Sequence, residues 1–331
     1  MKILFAGTPA IAVPSLRALS GVNSEGGFCK LAGVLTNPDS AKGRHGGLTP
    51  SDLGAAAEEI LRDAAARGKT TFVLLKYEHV DEACFRGAAA LGADLLVSFA
   101  YGAIFPVEFL ALFPMGGLNI HPSLLPKYRG ASPIQTAILN RENETGISIQ
   151  RIAEKLDSGD ILAQEIIALS GRETCASLSA VVAEKSAGLL VRTLRALAAG
   201  DCAGSPQDHG AASFCGKFER EDGRIDWGQD APAIDARIRA FTPWPLAYTR
   251  HDGVELYILE AAPYKGEAAA FAGSNVRPAG TVLGADKNTG IIVQTGGGLL
   301  AVSCLQYRAR KRLDWRSFLN GAKNFIGSVL G

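Results

Sequence analysis

Short apolar runs alternate with helical stretches over the first two hundred residues, and this alternation limits the possible folds more than any other feature. Runs of strand length occur at 2–6, 31–36, 71–75, 94–99 and 117–120. Helical patterns lie between and after them, at about 13–19, 51–68, 80–91 and 176–199. Such alternation predicts an α/β domain in which helices cover both faces of a parallel sheet.

The pattern changes after about residue 203. The segment 205–215 is rich in small and polar residues, as expected of a linker. Short strand-like runs with glycines at the turns follow a helical stretch at about 231–241, which predicts a small β-barrel or sandwich. We therefore expect two domains, 1–204 and 216–331, joined by a linker at 205–215.

Composition excludes several classes of protein. Apolar residues make up 47% of the 331 and charged residues 20%, with a net charge of +1, so any basic surface has to be local. The six cysteines show no CxxC pair and no metal-ligand spacing, which favours free thiols and no metal. No apolar run is long enough to span a membrane and no targeting segment is evident, so we expect a cytoplasmic protein. The sequence leaves the oligomeric state open, and a monomer is our expectation.

The end of the strand at 117–120 carries the sharpest functional signal. Asn119 and His121 are separated by one residue, so they point to the same side of a strand. The carboxyl end of a parallel strand faces the crevice in which α/β proteins bind ligands. An amide and an imidazole placed there could stabilise an oxyanion that forms on a carbonyl carbon. The alternative is that Asn119 caps a turn and that His121 has a structural role.

A carboxylate in the segment LDSGDIL is the second candidate. Asp157 is predicted to lie in a turn with Gly159, where it could reach His121, hold the imidazole in orientation and favour its charged form. The alternative is an Asx-type turn without a catalytic role.

The sequence does not match the common nucleotide-binding motifs. The chain lacks GxGxxG, and its GKT at 68–70 follows a helix rather than a strand.

The segment NIHPSLLPKYRGASPIQTAI, with Asp157 36 residues after His121, resembles the folate-dependent formyltransferases. The resemblance covers nearly the whole chain, through ILFAGTPAIAVPSL, VSFAYGAIFP, RIDW and IRAFTPWPLAY, and is to members that formylate methionyl initiator tRNA. It implies a Rossmann-like formyltransferase domain followed by a small OB-like β-barrel that binds tRNA. It also implies 10-formyltetrahydrofolate as the formyl donor and no metal.

The resemblance assigns roles to individual residues. It implies that Asn119, His121 and Asp157 are catalytic. It further implies that the folate site is lined by Phe99, Ala100, Tyr101, Gly102, Ile104, Ser123, Leu124, Leu125 and Pro126.

Two basic segments are candidates for contacts with tRNA. The loop SAKGRHGG at 40–47 offers Lys42 and Arg44, fewer cations than this loop usually carries in the family. The segment YRARKRLDWR near the other end offers a denser cluster, which could bind phosphates or could be an ordinary solvated surface. Its members are Arg308, Arg310, Lys311 and Arg312.

Three other functions stay open at this point. A formyltransferase of the same fold could act on a small amine, such as glycinamide ribonucleotide or an amino-sugar nucleotide. A hydrolase could cleave formyltetrahydrofolate with the same three residues. A non-catalytic RNA-binding protein would keep the second domain, but it has no need of Asn119, His121 and Asp157 together.

Overall fold

A computed structural model of the chain describes residues 1–22, 27–41, 47–69, 71–267, 271 and 277–331. These residues form two compact units. The first unit comprises Met1–Pro133, Glu144–Ala168 and Ser179–Cys215. The second comprises Ile134–Asn143, Leu169–Leu178 and Gly216–Gly331. The sequence did not indicate that two short segments before residue 204 group with the second unit, and the domain limits 1–204 and 216–331 stay a prediction.

The elements up to Cys215 follow the predicted alternation. The strands are β1 (Lys2–Gly7), β2 (Lys30–Thr36), β3 (Ser40–Ala41), β4 (Leu48–Thr49), β5 (Val73–Lys76), β6 (Leu95–Phe99), β7 (Gly117–His121), β8 (Arg129–Gly130), β9 (Glu144–Arg151), β10 (Ile161–Ala168) and β11 (Phe214–Cys215). The helices are α1 (Val13–Val22), α2 (Asp52–Ala66), α3 (Glu82–Ala89), α4 (Val107–Leu110), α5 (Pro133–Leu139) and α6 (Cys175–Ala199).

The elements from Gly216 onwards are mainly strands. They are α7 (Ala231–Ala240), β12 (Ala247–His251), β13 (Val254–Pro263), β14 (Val282–Asp286), β15 (Gly290–Gln294), β16 (Leu299–Tyr307), β17 (Leu313–Asp314) and α8 (Trp315–Gly321). The strands form an antiparallel sheet in the order β12-β13-β16-β15-β14, with β17 paired to β16. The predicted β-rich second domain is confirmed as a unit of antiparallel strands.

The first unit contains a seven-stranded sheet in the order β10-β9-β7-β6-β1-β2-β5. The pairs among β5, β2, β1, β6 and β7 are parallel, as predicted. The sheet is mixed at one edge, where β9 is antiparallel to both β7 and β10. The connection between β9 and β10 is too short for the crossover that parallel neighbours require.

Helices cover both faces of this sheet, as the alternation predicted. Leu4 and Ala6 of β1 pack in one buried cluster with Cys84 of α3 and Phe109 of α4. The opposite face of β1 meets α2, since a Cβ added at Gly7 would lie 3.2 Å from Leu53. Because successive side chains of a strand point to opposite faces, β1 is buried on both.

Helix α2 shows how local sequence sets the bounds of an element. Ser51 was predicted to cap this helix, and its hydroxyl accepts a hydrogen bond from the Gly54 amide at 3.0 Å. Gly68, predicted as the stop, has a φ of +66°, a conformation that glycine adopts without steric cost.

The second unit is held by a buried apolar cluster in which aromatic rings from several elements meet. Phe318 of α8 packs edge-on against Phe325, with ring centroids 4.9 Å apart. Trp227 is buried and donates from Nε1 to the Thr249 hydroxyl at 3.0 Å, which satisfies its polar atom within the core. The short helix α8 had not been predicted, because seven residues are too few for a clear helical periodicity.

The segment 205–215 was expected to be a flexible linker, but it is hydrogen-bonded along the loop that follows β7. Strand β11 pairs with β8, and Ser213 bonds to the backbone of Tyr128, Arg129 and Pro126. Ser205 bonds to Ile161 in both directions, at 2.9 Å each. This segment is therefore an integral part of the first unit.

We expect Gly188→Ala in α6 to raise the free energy of unfolding by about 0.5–1 kcal/mol. The new methyl group would meet only the end of the Arg192 side chain at 3.3 Å, and alanine loses less backbone entropy in a helix. Thermal unfolding followed by circular dichroism measures the effect.

Gly146→Ala in β9 serves as the contrast. Its Cβ would lie 2.3 Å from a Leu124 methyl group and 2.4 Å from the Glu165 carbonyl oxygen, so we expect a loss of about 1–3 kcal/mol. Equal effects of the two substitutions would contradict this account of the packing.

Candidate active site

Strand β7 ends beside two strands that bring further polar groups to the same place. In the register, Asn119 pairs with Ser98 of β6 and with Gln150 of β9, and His121 pairs with Ser148. Asn119 is half-buried, and His121 is only 4% exposed. The carboxyl end of β7 therefore presents an amide and an imidazole in a largely enclosed position.

The structure brings Asp157 to these two side chains. Its Oδ1 accepts from Asn119 Nδ2 at 3.3 Å, and its Oδ2 lies 3.5 Å from His121 Nδ1. The side chains of His121 and Asp157 are 5% and 7% exposed, so little water competes for this contact. The three residues that the sequence singled out thus form one cluster.

The turn that carries Asp157 adopts an unusual conformation. Asp157 has a φ of +50°, in the left-handed region that costs a residue other than glycine free energy. Its carboxylate is held from two more sides, by the Gly130 amide at 2.9 Å and by Gln150 Nε2 at 2.7 Å. Gly159 completes the turn, because a Cβ there would lie 2.0 Å from the Arg151 carbonyl oxygen.

The contacts of His121 define where its protons lie. Nε2 lies 2.8 Å from the Tyr128 carbonyl oxygen, and because a carbonyl only accepts, Nε2 carries a proton. A neutral ring with that proton would direct the Nδ1 lone pair at the Asp157 carboxylate. A ring with a proton on both nitrogens would instead form an ion pair with Asp157 Oδ2 across this distance.

The sequence did not predict the groups that surround this pair, namely Gln150, the Gly130 amide and the Tyr128 carbonyl. Gln150 could have been found from register, since an antiparallel partner of β7 must place a side chain beside Asn119. The two backbone groups could not have been found, because every residue has an amide and a carbonyl and only the fold determines which of them meet.

The first segment predicted to bind folate begins at Phe99, the last residue of β6, and continues into the loop after it. Phe99 and Tyr101 are buried, and burial raises the pKa of the Tyr101 hydroxyl well above its ordinary value. Ala100, at φ +53°, and Gly102, at φ +91°, are exposed. Ile104 is 81% exposed, unusual for a large apolar side chain. The phenol of Tyr101 bonds to the Tyr77 carbonyl at 3.3 Å, so its ring belongs to the core.

The second segment predicted to bind folate, 123–126, is fixed by hydrogen bonds to β9 and β10. The Ser148 hydroxyl donates to the Ser123 carbonyl at 2.7 Å and accepts from the Leu125 amide at 3.0 Å. Gln164 donates to the Leu125 carbonyl at 2.9 Å. Leu124 and Pro126 are half-buried, and the peptide bond between Leu125 and Pro126 is cis.

The residues predicted to bind tRNA fall into two groups. Lys42 and Arg44 lie outside the residues that the structure describes. Arg308, Arg310, Lys311 and Arg312 are all exposed, in the turn after β16 and the segment that follows it. Arg308 lies 3.8 Å from Glu255, and Arg312 forms an ion pair with Glu260.

Within the described ranges, no group of three or more histidine, cysteine, aspartate or glutamate residues could hold a metal ion. The same part of the chain has no helix long and apolar enough to cross a membrane. All six cysteines are free, as the sequence suggested, and burial raises the pKa of the Cys84 thiol to about 11.

A cavity of about 940 Å³ lies within the second unit. Four cationic side chains line it, together with Asp235, whose burial raises its carboxyl pKa although Arg239 opposes the shift. The cations are Arg141, Arg172, Arg239 and Lys265. None of the predicted site residues contributes to this cavity.

Two family models match the chain, and they divide it near the change in sequence pattern. Residues 1–194 match the formyl transferase family, and residues 217–323 match the formyl transferase C-terminal domain. The fold is also similar to solved structures that are only 19% identical. An N-formyltransferase from Helicobacter canadensis, in complex with folinic acid and dTDP-3-aminofucose, gives a TM-score of 0.64 over 93% of this chain and 99% of that one. HypX from Aquifex aeolicus, in complex with tetrahydrofolic acid, gives a TM-score of 0.62 over 98% of this chain and 48% of that one.

Curated relatives match over the full length. Methionyl-tRNA formyltransferase from Treponema denticola is 42% identical over 98% of both chains. The same enzyme from Treponema pallidum is 42% identical over 100% of this chain and 99% of its own. The enzyme from Halalkalibacterium halodurans is 38% identical over 100% of this chain and 98% of its own. The chain therefore belongs to the formyltransferase family, among the methionyl-tRNA formyltransferases.

Proposed function

We propose that this protein transfers the formyl group of 10-formyltetrahydrofolate to the α-amino group of methionyl initiator tRNA. The observation that carries the proposal is the convergence of Asn119, His121 and Asp157 in a chain whose full-length relatives are methionyl-tRNA formyltransferases. Its site at the carboxyl end of β7 is suited to acyl transfer, because it combines a hydrogen-bond donor with an imidazole and a carboxylate in contact.

Asn119 is the residue best suited to stabilise developing negative charge. Formyltetrahydrofolate supplies a carbonyl group, and attack of an amine on that carbon transfers charge to its oxygen. The amide nitrogen of Asn119 carries two hydrogens, of which one is directed to Asp157 at 3.3 Å. The other is available to a carbonyl oxygen placed above the end of β7.

His121 and Asp157 are suited to move the proton that this reaction releases. The attacking amine nitrogen becomes positively charged as its bond to the formyl carbon forms, so it must lose a proton. The donor nitrogen must gain a proton as its own bond to that carbon breaks. The pair places an imidazole 3.5 Å from a carboxylate, in a position that is largely shielded from water, where the ring can accept a proton and pass it on. The second ring nitrogen is anchored to the Tyr128 carbonyl, which keeps the ring in one orientation.

The segments at 99–104 and 123–126 fit a folate. The exposed Ile104 and half-buried Leu124 offer apolar surface to an aromatic ligand, and burial of an exposed isoleucine contributes about 2 kcal/mol. The left-handed backbone at Ala100 and Gly102 turns the chain after β6 in the region where α/β proteins bind ligands.

The exposed cations after β16 are suited to bind phosphates of the tRNA. Arg310 and Lys311 are exposed and lie between Arg308 and Arg312, which already pair with glutamates. We propose that Arg310 and Lys311 make the larger contribution, since their charge is less neutralised by the protein. Lys42 and Arg44 of the first basic segment remain proposed contacts.

The full-length match to methionyl-tRNA formyltransferases disfavours a small-amine acceptor. Sugar N-formyltransferases share the fold, but at 19% identity they carry no argument about the acceptor. Because initiator tRNA is charged and used where translation takes place, we also propose a cytoplasmic location and retain the monomer as a prediction.

Acceptor preference tests the proposal most directly. With 10-formyltetrahydrofolate as donor, we expect formylation of methionyl initiator tRNA, and no detectable transfer to free methionine or glycinamide ribonucleotide. Radiolabelled formyl transfer to each acceptor at equal concentration measures this. Preferential formylation of glycinamide ribonucleotide, or hydrolysis of the donor without transfer, would overturn the assignment.

We expect His121→Ala to lower kcat by about 10²- to 10⁴-fold, because the general acid–base group is lost. Asn119→Ala should lower kcat by about 10²-fold or more through loss of the oxyanion donor. The measurement is single-turnover formylation with saturating substrates. The exposed His79 provides the control, and His79→Ala should leave kcat unchanged. Near-normal turnover of the His121 variant would exclude the proposed chemistry.

We expect neutralisation of Arg310 and Lys311 to reduce the slope of log affinity for tRNA against log salt by about 1.5. Each lost phosphate contact removes roughly 0.7–0.9 of that slope through counterion release. Neutralising Arg308 and Arg312 should change the slope less, because both face glutamates. Binding titrations at several salt concentrations give the slopes.

A double change of Arg67 and Lys69 to glutamine is the matched control for this salt series. It removes the same charge from an exposed part of the first unit. If it reduces the slope as much as the Arg310 and Lys311 changes do, the cluster after β16 is not the phosphate-binding surface.

A further inference from the structure

Gln207 connects the segment predicted as a linker to the turn that carries Asp157. It is only 6% exposed, and its amide nitrogen donates to three oxygens: the Asp157 carbonyl at 3.0 Å, the Gly159 carbonyl at 2.6 Å and Gln150 Oε1 at 3.2 Å. With two hydrogens and three acceptors, one hydrogen is shared. Gln207 thus contacts both the backbone of the turn and a side chain that binds its carboxylate.

Arg129 fixes the orientation of the Gln207 amide. Its Nε and Nη2 lie 3.1 Å and 2.6 Å from Gln207 Oε1, and a guanidinium can only donate. The oxygen of the amide therefore faces Arg129, and the NH₂ group must face the turn. Nη2 also donates to His209 Nδ1 at 3.0 Å. Arg129 and Gln207 are both buried, and both belong to the first unit.

The network ends at the carboxylate that faces His121. Gln150 accepts from Gln207 and donates to Asp157 Oδ1 at 2.7 Å, so Gln207 also orients the donor of that hydrogen bond. Asp157 occupies a left-handed conformation that the surrounding contacts must hold in place. A shift of this turn would change the distance of 3.5 Å between Asp157 Oδ2 and His121 Nδ1.

We infer that Gln207, oriented by Arg129, is a positioning residue for formyl transfer that sets the placement of Asp157 relative to His121. The expected change in formylation kinetics rests on the proposed function, whereas the role of Gln207 in placing Asp157 rests on the geometry alone. Gln207 touches no reacting atom and acts through Asp157.

Gln207→Leu removes every hydrogen bond of the amide at nearly constant volume. We expect kcat for formylation to fall about 10- to 100-fold, as for a small misplacement of a catalytic group, with KM for tRNA and folate changed less than about 3-fold. Gln207→Glu keeps acceptors for Arg129 but directs a carboxylate at the two carbonyl oxygens. Gln207→Glu should lower kcat at least as much as Gln207→Leu does. A wild-type kcat for Gln207→Glu would overturn the inference.

A double-mutant cycle distinguishes positioning from general destabilisation. In an Asp157→Asn background, Gln207→Leu should lower kcat by less than about 3-fold, because the group through which Gln207 acts is already altered. An equal cost in both backgrounds would overturn the inference. Thr193→Val is the matched control, since it removes a buried hydrogen bond in α6 and should leave kcat unchanged.

Hydrogen exchange gives a readout that needs no activity. In Gln207→Leu, amides of the peptide 152–162 should exchange faster than in the wild type, while those of 188–199 in α6 stay unchanged. Unchanged exchange at 152–162 would overturn the inference even with an active enzyme. If the wild type formylates no tRNA but the exchange difference is present, the proposed function fails and the positioning role of Gln207 stands.

Discussion

The need to satisfy a buried carboxylate organises the first unit of this protein. Asp157 is nearly enclosed, and an enclosed carboxylate is costly unless donors surround it. Its donors come from the end of β7, the loop after it and strand β9. These groups lie far apart in the sequence, so the antiparallel edge of the sheet and the loop at 126–131 must form before the site exists.

The arrangement also connects stability to chemistry. Asp157 is left-handed, and Gly159, two residues later, tolerates no side chain, so the turn is strained and its hydrogen bonds offset that cost. The same hydrogen bonds keep the carboxylate opposite His121. Groups that stabilise the turn therefore also hold the carboxylate and the imidazole in place, which explains why so many buried polar side chains are concentrated around one acid.

Much of this was accessible from sequence, for identifiable reasons. Strand alternation placed Asn119 and His121 on one side, and periodicity located the long helices α2 and α6. The antiparallel pairing of β9 with β7 was not predicted, because a hydrophobic run indicates that a strand is buried but not in which direction it pairs. The pairing of Arg129 with Gln207 could not be predicted, since 78 residues separate them and neither belongs to a periodic pattern. The segment around Gln207 looked like a linker because small polar residues are equally typical of flexible chain and of hydrogen-bonded loops.

The bonding of 205–215 to the loop after β7 has a consequence for recombination between related chains. A crossover at residue 204 would join the Arg129 and Asp157 of one parent to the Gln207 and Ser213 of another, so a polar network and a strand pair would both be mixed. A crossover after Cys215 would pass the whole network to one parent. Chimaeras of this fold should therefore inherit the apparent linker together with the catalytic unit.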